Sequence, residues 1–258
     1  MPISITLIGG PTALIEIDGF RLLTDPTFDD AHTAYQLPHV KLEKTIGPAL
    51  KPDAIGPVDA VLLSHDQHSD NLDISGREFL KHAKRVLTTE AGARRLGGHA
   101  EGLAPWAISH LQDRDGNALT ITATPARHGP AGIEPLSGDV IGFVVSSSRK
   151  DTGTVYISGD TTWFDGVAEV ARRFKCDVVL PFAGAAQTRG PFHLTMDTND
   201  TIETARAFPD AVIVPLHTEG WAHFRQNGED LRKSFDVLGF GTRLRLLEPG
   251  VPTVVEAP

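Results

Sequence analysis

The sequence predicts a single mixed α/β domain spanning residues 1–258, and three observations lead there. Short runs rich in valine, isoleucine and leucine recur along the chain, segments of helical spacing fall between them, and no internal repeat or linker divides it. Hydrophobic residues make up 40%, enough for a sizeable core, while 25 glycines and 18 prolines are spread as turn punctuation.

The opening, SITLIGGPTALIEIDGFRLLTDP, reads as a β-meander. Ile3 to Leu7 and Ala13 to Ile17 are β-rich, Asp18-Gly19 is a hairpin turn, and Phe20 to Thr24 returns. Gly9-Gly10 needs only a tight turn between strands; no lysine-bearing helix follows, so it is no phosphate loop. Residues 27–58 hold several prolines and no sustained period, which predicts a long loop with little helix, of the kind that often covers a site. Val58 to Leu63 (VDAVLL) is a buried strand that runs into the stretch SHDQHSDNLD. SGREFLKHAK (75–84) has helical spacing, RVLTT is a strand, and EAGARRLGG is a short helix ended by Gly97-Gly98. Ala107 to Leu111, Leu119 to Ala126 and Val140 to Ser146 are strands, and TVYISGD (154–160) is another, ending in an acid. GVAEVARRF (166–174) is helical, CDVVLPFAG is a strand entering a loop, and DTNDTIETARAF is a capped helix. AVIVPLH is a strand ending in a histidine, followed by a helix around 229–238 and C-terminal strands.

Charge narrows the function classes. The balance of 24 basic to 33 acidic residues, net -9, disfavours nucleic acid as a partner, because phosphate binding needs a clustered basic surface. Cys176 is the only cysteine, so no internal disulfide forms. MPISITLIGG lacks the basic n-region and long apolar stretch of a signal peptide, and no segment approaches the roughly 18–20 apolar residues of a membrane helix. A soluble cytoplasmic protein acting on a small molecule, away from membranes, is the expectation.

Four apolar strands end in a metal-competent side chain: VLLSH in His65, ITATPARH in His128, TVYISGD in Asp160 and AVIVPLH in His217. Histidine with carboxylate suits borderline divalent ions such as Zn, Mn or Fe, and a strand end is a rigid mount from which ligands converge. The stretch from 65 to 71 adds His68 and Asp70, more potential ligands than a polar turn requires.

In this order, the N-terminal meander, the His/Asp cluster, the lone histidine, the Gly-Asp strand end and the late histidine resemble the metallo-β-lactamase superfamily. TALIEIDGFRLLTDP, ISGDTTWF and VPLHTEGWAHF are similar to its branch containing ascorbate-phosphate lactonase and related small-substrate hydrolases. The resemblance implies a four-layer αββα sandwich with its metals at one edge. It also implies a metal-dependent hydrolase that cleaves a small ester, lactone or phosphoester through a metal-activated hydroxide. One or two divalent ions are implied, zinc first, manganese or iron next. The branch's usual SHDHYDHLD is matched here by SHDQHSDNLD, with one extra residue and Asn71 where a histidine stands. Placing the insertion at Gln67 keeps His65 as first ligand; an ungapped match puts Asp66 there instead. On the favoured match His65, His68 and His128 hold the first ion, Asp160 bridges, and Asp70 and His217 complete the second position, with Asn71 a marginal contributor. Asp70, where it is not a tight ligand, is expected to orient that hydroxide or take its proton, with His193 or His223 as leaving-group donor. The substitution at 71 keeps a second reading open, a degenerate member that binds a small molecule or partner without hydrolysis. Redox members need a flavin domain or a partner, and a homo-oligomer is compatible with the branch.

The remaining candidates read as structural. His193 is equally an exposed loop residue or a partner of Asp197, and His223 with Trp221 packs near the site or touches substrate. Arg127, Arg149 and Arg189 are solvated or anion-binding, Cys176 is a small buried residue, and His32, His39, His82, His99 and His110 are surface or structural.

Overall fold

A computed structural model describes residues 3–36, 40–114, 116–149 and 151–256; His39 lies outside them. Among the described residues two large sheets stand face to face. The first runs, edge to edge, Thr253–Val255, Ile3–Gly9, Thr12–Ile17, Phe20–Thr24, Ala60–Leu62, Val86–Thr89, Ala100–Leu103. The second runs Val212–Ile213, Val178–Leu180, Val155–Ile157, Ile141–Ser147, Ala118–Pro125, Ile108–Gln112.

Strand periodicity explains the layers. Side chains alternate across a strand, so Ile3, Ile5, Ala13, Ile15, Leu22 and Leu62 enter one core with Ile121, Phe143, Val155 and Leu180 of the facing sheet. The alternate residues face outward onto helices. Leu14, Leu23, Val61 and Val86 pack with Ile55, Phe79 and Leu80 on one side. Val144, Tyr156, Val179 and Ile213 pack with Val167, Val170, Ile202, Leu231 and Phe235 on the other. The result is the four-layer αββα sandwich of the metallo-β-lactamase fold.

The helices cap as their sequences direct. Asp197 accepts from Asp200 N at the start of Thr198–Ala207, and Asn227 with Asp230 forms a capping box for Gly228–Val237. No helix of the described residues is long and apolar enough to cross a membrane.

The structure differs from the sequence reading within 27–58. That stretch holds an antiparallel pair, Ala34–Gln36 with Lys41–Glu43, and a short helix at Pro52–Ile55. Strands this short carry no readable period; the pair forms because Tyr35 and Leu42 pack on Trp221, far along the chain. The strand expected over AVIVPLH is Val212–Ile213 alone, extended by a bridge between Phe182 and Leu216. Ala100–Leu103 and the helical turn Glu134–Ser137 were not expected.

Candidate metal centre

All of the candidate ligands sit at one edge of the sandwich. Ala118–Pro125 is antiparallel to Ile141–Ser147, which is antiparallel to Val155–Ile157, and the two strands beyond are parallel to the latter. The C-terminal ends that precede His128, Asp160 and His217 therefore share one rim, where loops from parallel strands converge. The other sheet joins at the same rim, where Ile141 N donates to Ser64 O at 3.1 Å. Gly159 makes this join feasible: its φ is +62°, and a Cβ there would lie 2.5 Å from Ile141 O and 2.9 Å from Ser64 Cβ. His217 takes the left-handed region without being glycine (φ 56°), held as its N–H donates to Gly10 O at 2.8 Å.

Two clusters result. His65 Nε2 lies 2.8 Å from His68 Nδ1, and His128 Nε2 lies 3.2 Å from the same nitrogen. Alongside, His217 Nε2 lies 3.6 Å from Asp70 Oδ2 and 3.7 Å from Asp160 Oδ1. Asp160 Oδ2 also faces the histidine cluster, 3.6 Å from His128 Nε2 and 4.0 Å from His65 Nε2. Within each cluster the potential ligand atoms lie within 4.8 Å of one another. Two atoms bound tetrahedrally to one zinc at its usual bond lengths stand about 3.3 Å apart, so these separations fit a shared cation.

Unpaired atoms point the same way. Asp70 Oδ1, Asn71 Oδ1, Asp160 Oδ2, His217 Nδ1 and Nε2 and His223 Nδ1 are buried with no hydrogen-bond partner in the protein. Each such atom costs about 1–3 kcal/mol unless something else satisfies it. Their concentration here is what a cation site requires, and the donor set of imidazoles and carboxylates fits a divalent transition ion.

Neighbouring groups set the tautomers. Ser64 donates its hydroxyl to Asp25 Oδ1 at 2.7 Å, so at 2.9 Å it accepts from His65 Nδ1–H and leaves Nε2 as a lone pair. His128 Nδ1 donates to the Leu194 carbonyl at 2.8 Å, freeing its Nε2 likewise. Burial and neighbouring imidazoles keep these rings neutral: His65 is held well below the ordinary histidine range, His68 and His128 at about 4. Burial lifts Asp160 to about 6 and carries Asp25 well above the carboxylate range. Burial also opposes ionisation of Asp70, but the close approach of the His217 imidazole and the hydrogen bond with His223 outweigh it and hold that carboxyl well below its usual value.

The extra residue is accommodated outside the cluster. Asp66 points away and takes the Arg95 guanidinium, with Nε 3.1 and 3.0 Å from its two oxygens, while its backbone oxygen takes Arg77. Gln67 Nε2 donates to the Ser137 and Asp139 carbonyls at 3.0 and 3.1 Å. His68 then turns back in, its carbonyl accepting from Asn71 N and Leu72 N. Asn71 is buried, with Nδ2 donating to Asp160 Oδ1 at 3.3 Å.

His193 is not brought in; its Nδ1 pairs with Asp197 Oδ2 at 3.0 Å. His223 is brought in, its Nε2 3.0 Å from Asp70 Oδ2. Reading the sequence missed Asp25 and the Ser64 relay, although Asp25 follows the same rule of a polar residue at a strand end. A narrow cleft opens over the cluster, its walls including Val40 and Leu42 from the first long loop and Ala186, Thr188, Arg189 and Leu194 from another. Arg127 instead stacks on Phe164, and Arg149 pairs with Asp18.

A family model described as the beta-lactamase superfamily domain matches residues 20–218. Over 255 residues the chain is 26% identical to the UPF0173 protein YddR of Bacillus subtilis, covering 96% of this chain and 98% of that one. It is 24% identical over 242 residues to a UPF0173 metal-dependent hydrolase of Caldivirga maquilingensis, 92% of this chain and 91% of the other. The crystal structure of isothiocyanate hydrolase from Delia radicum gut bacteria superposes with a TM-score of 0.84 at 25% identity, over 98% of this chain and 100% of that chain.

Proposed function

The chain belongs to the beta-lactamase superfamily, and on that premise we propose that it is a metal-dependent hydrolase of small molecules. The observation that carries the proposal is the pair of adjoining clusters, His65, His68, His128 and Asp70, Asp160, His217, with buried unpaired ligand atoms among them. The first set would hold one divalent ion and the second set would hold another, zinc suiting the donors first, manganese or iron next. An ion so held supplies Lewis acidity and lowers the pKa of bound water to about 7.

The chain's own groups do the rest. Asp70, held ionised by its histidine neighbours, orients the attacking water. His65 and His128 keep their lone pairs inward through Ser64 and the Leu194 carbonyl. The donor role expected of His193 is not carried forward, because its imidazole is committed to Asp197. The cleft's aliphatic wall seats an apolar substituent, and Thr188 and Arg189 offer polar contacts at its edge.

The substrate is a small ester, lactone or phosphoester. A second reading, hydrolysis of an isothiocyanate, is favoured by the full-length likeness to isothiocyanate hydrolase. Elemental analysis of protein purified without added metal comes first. Fewer than about 0.2 equivalents of transition metal per chain, with no uptake on titration, would sink the hydrolase and leave a binding protein of the same fold. With metal present, lactones, phosphodiesters and isothiocyanates are screened against His65→Ala and Asp66→Ala. Turnover is expected to vanish in the first and persist in the second; an active His65→Ala would make Asp66 the ligand.

A further inference from the structure

We infer that His223 supplies the imidazole that position 71 lacks, as a ligand of the second ion beside Asp70, Asp160 and His217. The inference rests on the two-cluster reading above and deepens it. Asn71 is buried at the cluster but presents its amide nitrogen, which donates to Asp160 Oδ1 at 3.3 Å. Its Oδ1 is unpaired, but an amide oxygen is a poorer ligand for a transition ion than an imidazole, which leaves the second position with two carboxylates and one imidazole as its strong donors.

His223 approaches from the opposite wall. Its Nε2 is 3.0 Å from Asp70 Oδ2, the oxygen that His217 Nε2 approaches to 3.6 Å. Two imidazole nitrogens thus converge on one carboxylate oxygen of the second cluster, so a small turn of the His223 ring, which gives up its hydrogen bond to Asp70, brings it to an ion held there. The ring is buried and braced. Phe224 stands edge-on to both imidazoles, its centroid 4.6 Å from that of His217 and 4.8 Å from that of His223. The backbone is clamped on both sides, Ala222 N donating to Glu43 O at 3.0 Å and Gln187 N to His223 O at 3.1 Å. An imidazole is thereby returned to the second ion from a residue remote in sequence from the one that lost it.

The alternative role, a hydrogen-bond donor to Asp70 that never touches an ion, is separable by experiment. Metal-free wild type and His223→Gln are titrated with Co²⁺, following visible absorption and bound equivalents, with circular dichroism to establish folding. Glutamine keeps an N–H for Asp70 but is a poor ligand. Wild type is expected to bind two equivalents, and the variant to keep the first while its affinity for the second falls by more than about 100-fold. Removing a mere hydrogen-bond partner of a ligand costs about 10–100-fold, so a smaller loss overturns the inference. Should the variant not fold, ¹⁵N spectra of wild type decide, since the His223 Nε2 resonance moves on the second equivalent of Zn²⁺ if it binds and stays if it does not. Wild type that binds one equivalent only also overturns the inference, with the hydrolase reading intact; no uptake at all sinks both.

Discussion

Ser64→Ala tests the geometry of the first cluster without touching a candidate ligand. The hydroxyl it removes accepts from His65 Nδ1–H at 2.9 Å and donates to Asp25 Oδ1 at 2.7 Å. Asp25 retains the backbone N–H of residue 64, at 2.9 Å, so the strand end keeps its anchor. His65 Nδ1–H, fully buried, loses its acceptor, which costs about 1–3 kcal/mol of stability and frees the ring to change tautomer. Loss of such a partner typically weakens metal binding 10- to 100-fold, about 1.4–2.8 kcal/mol. The loss falls on the ion held by His65, His68 and His128, and the affinity of the second position stays near wild type. Competition against a chromophoric chelator reads both affinities, and urea unfolding of the metal-free protein reads the stability. A folded Ser64→Ala protein that binds the first ion within about threefold of wild type would refute the claim that this serine sets the His65 lone pair.

Two further outcomes follow from the same rim. Gly159→Ala places a Cβ 2.5 Å from Ile141 O at a φ of +62°, so urea unfolding is expected to show a loss on the order of 3 kcal/mol; wild-type stability would mean the two sheets do not meet there. Acid weakens the metal-free protein. His68 and His128 titrate at about 4 when folded against an ordinary 6.5, so between those values the unfolded chain binds more protons, and stability falls with pH by about 3.4 kcal/mol per ring. Asp160, lifted to about 6 from an ordinary 3.8, acts in the opposite sense: the folded state keeps its proton and gains about 3 kcal/mol as pH drops. Between pH 7 and pH 4.5 these three groups together lose on the order of 3 kcal/mol, and His65, held below the ordinary histidine range, acts in the same sense as the two rings, so a lower urea midpoint is expected at pH 4.5 than at pH 7; a higher midpoint at pH 4.5 would contradict neutral buried rings.

Much of the sandwich is legible because burial on both faces forces recognisable runs. Ile3, Ile5 and Leu7 alternate with residues of the opposite layer, and AVLL (60–63) is apolar throughout because its strand sits between two others. The small pair at Ala34–Gln36 and Lys41–Glu43 was illegible, since it packs on Trp221 far along the chain. The same limit applies to the histidines. His193 and His223 look alike in sequence, each in a loop beside aromatic residues. Only packing turns one onto Asp197 and the other onto Asp70.

By itself the sequence determined the kinds of donor and where they stand along the chain. A strand's periodicity ends where its apolar run ends, and the residue there is read directly as His65, His128, Asp160 or His217. Whether His65 or Asp66 turns inward was beyond it, because neighbouring side chains point opposite ways and a one-residue shift exchanges them. The tertiary structure decides this through groups remote in sequence. Arg95 draws Asp66 outward, the Ser137 and Asp139 carbonyls take the inserted Gln67, and Ser64 with Asp25 holds His65 toward the cluster. Local pattern places a residue on a strand end, but the charges and carbonyls that select its direction arrive only when the two sheets close.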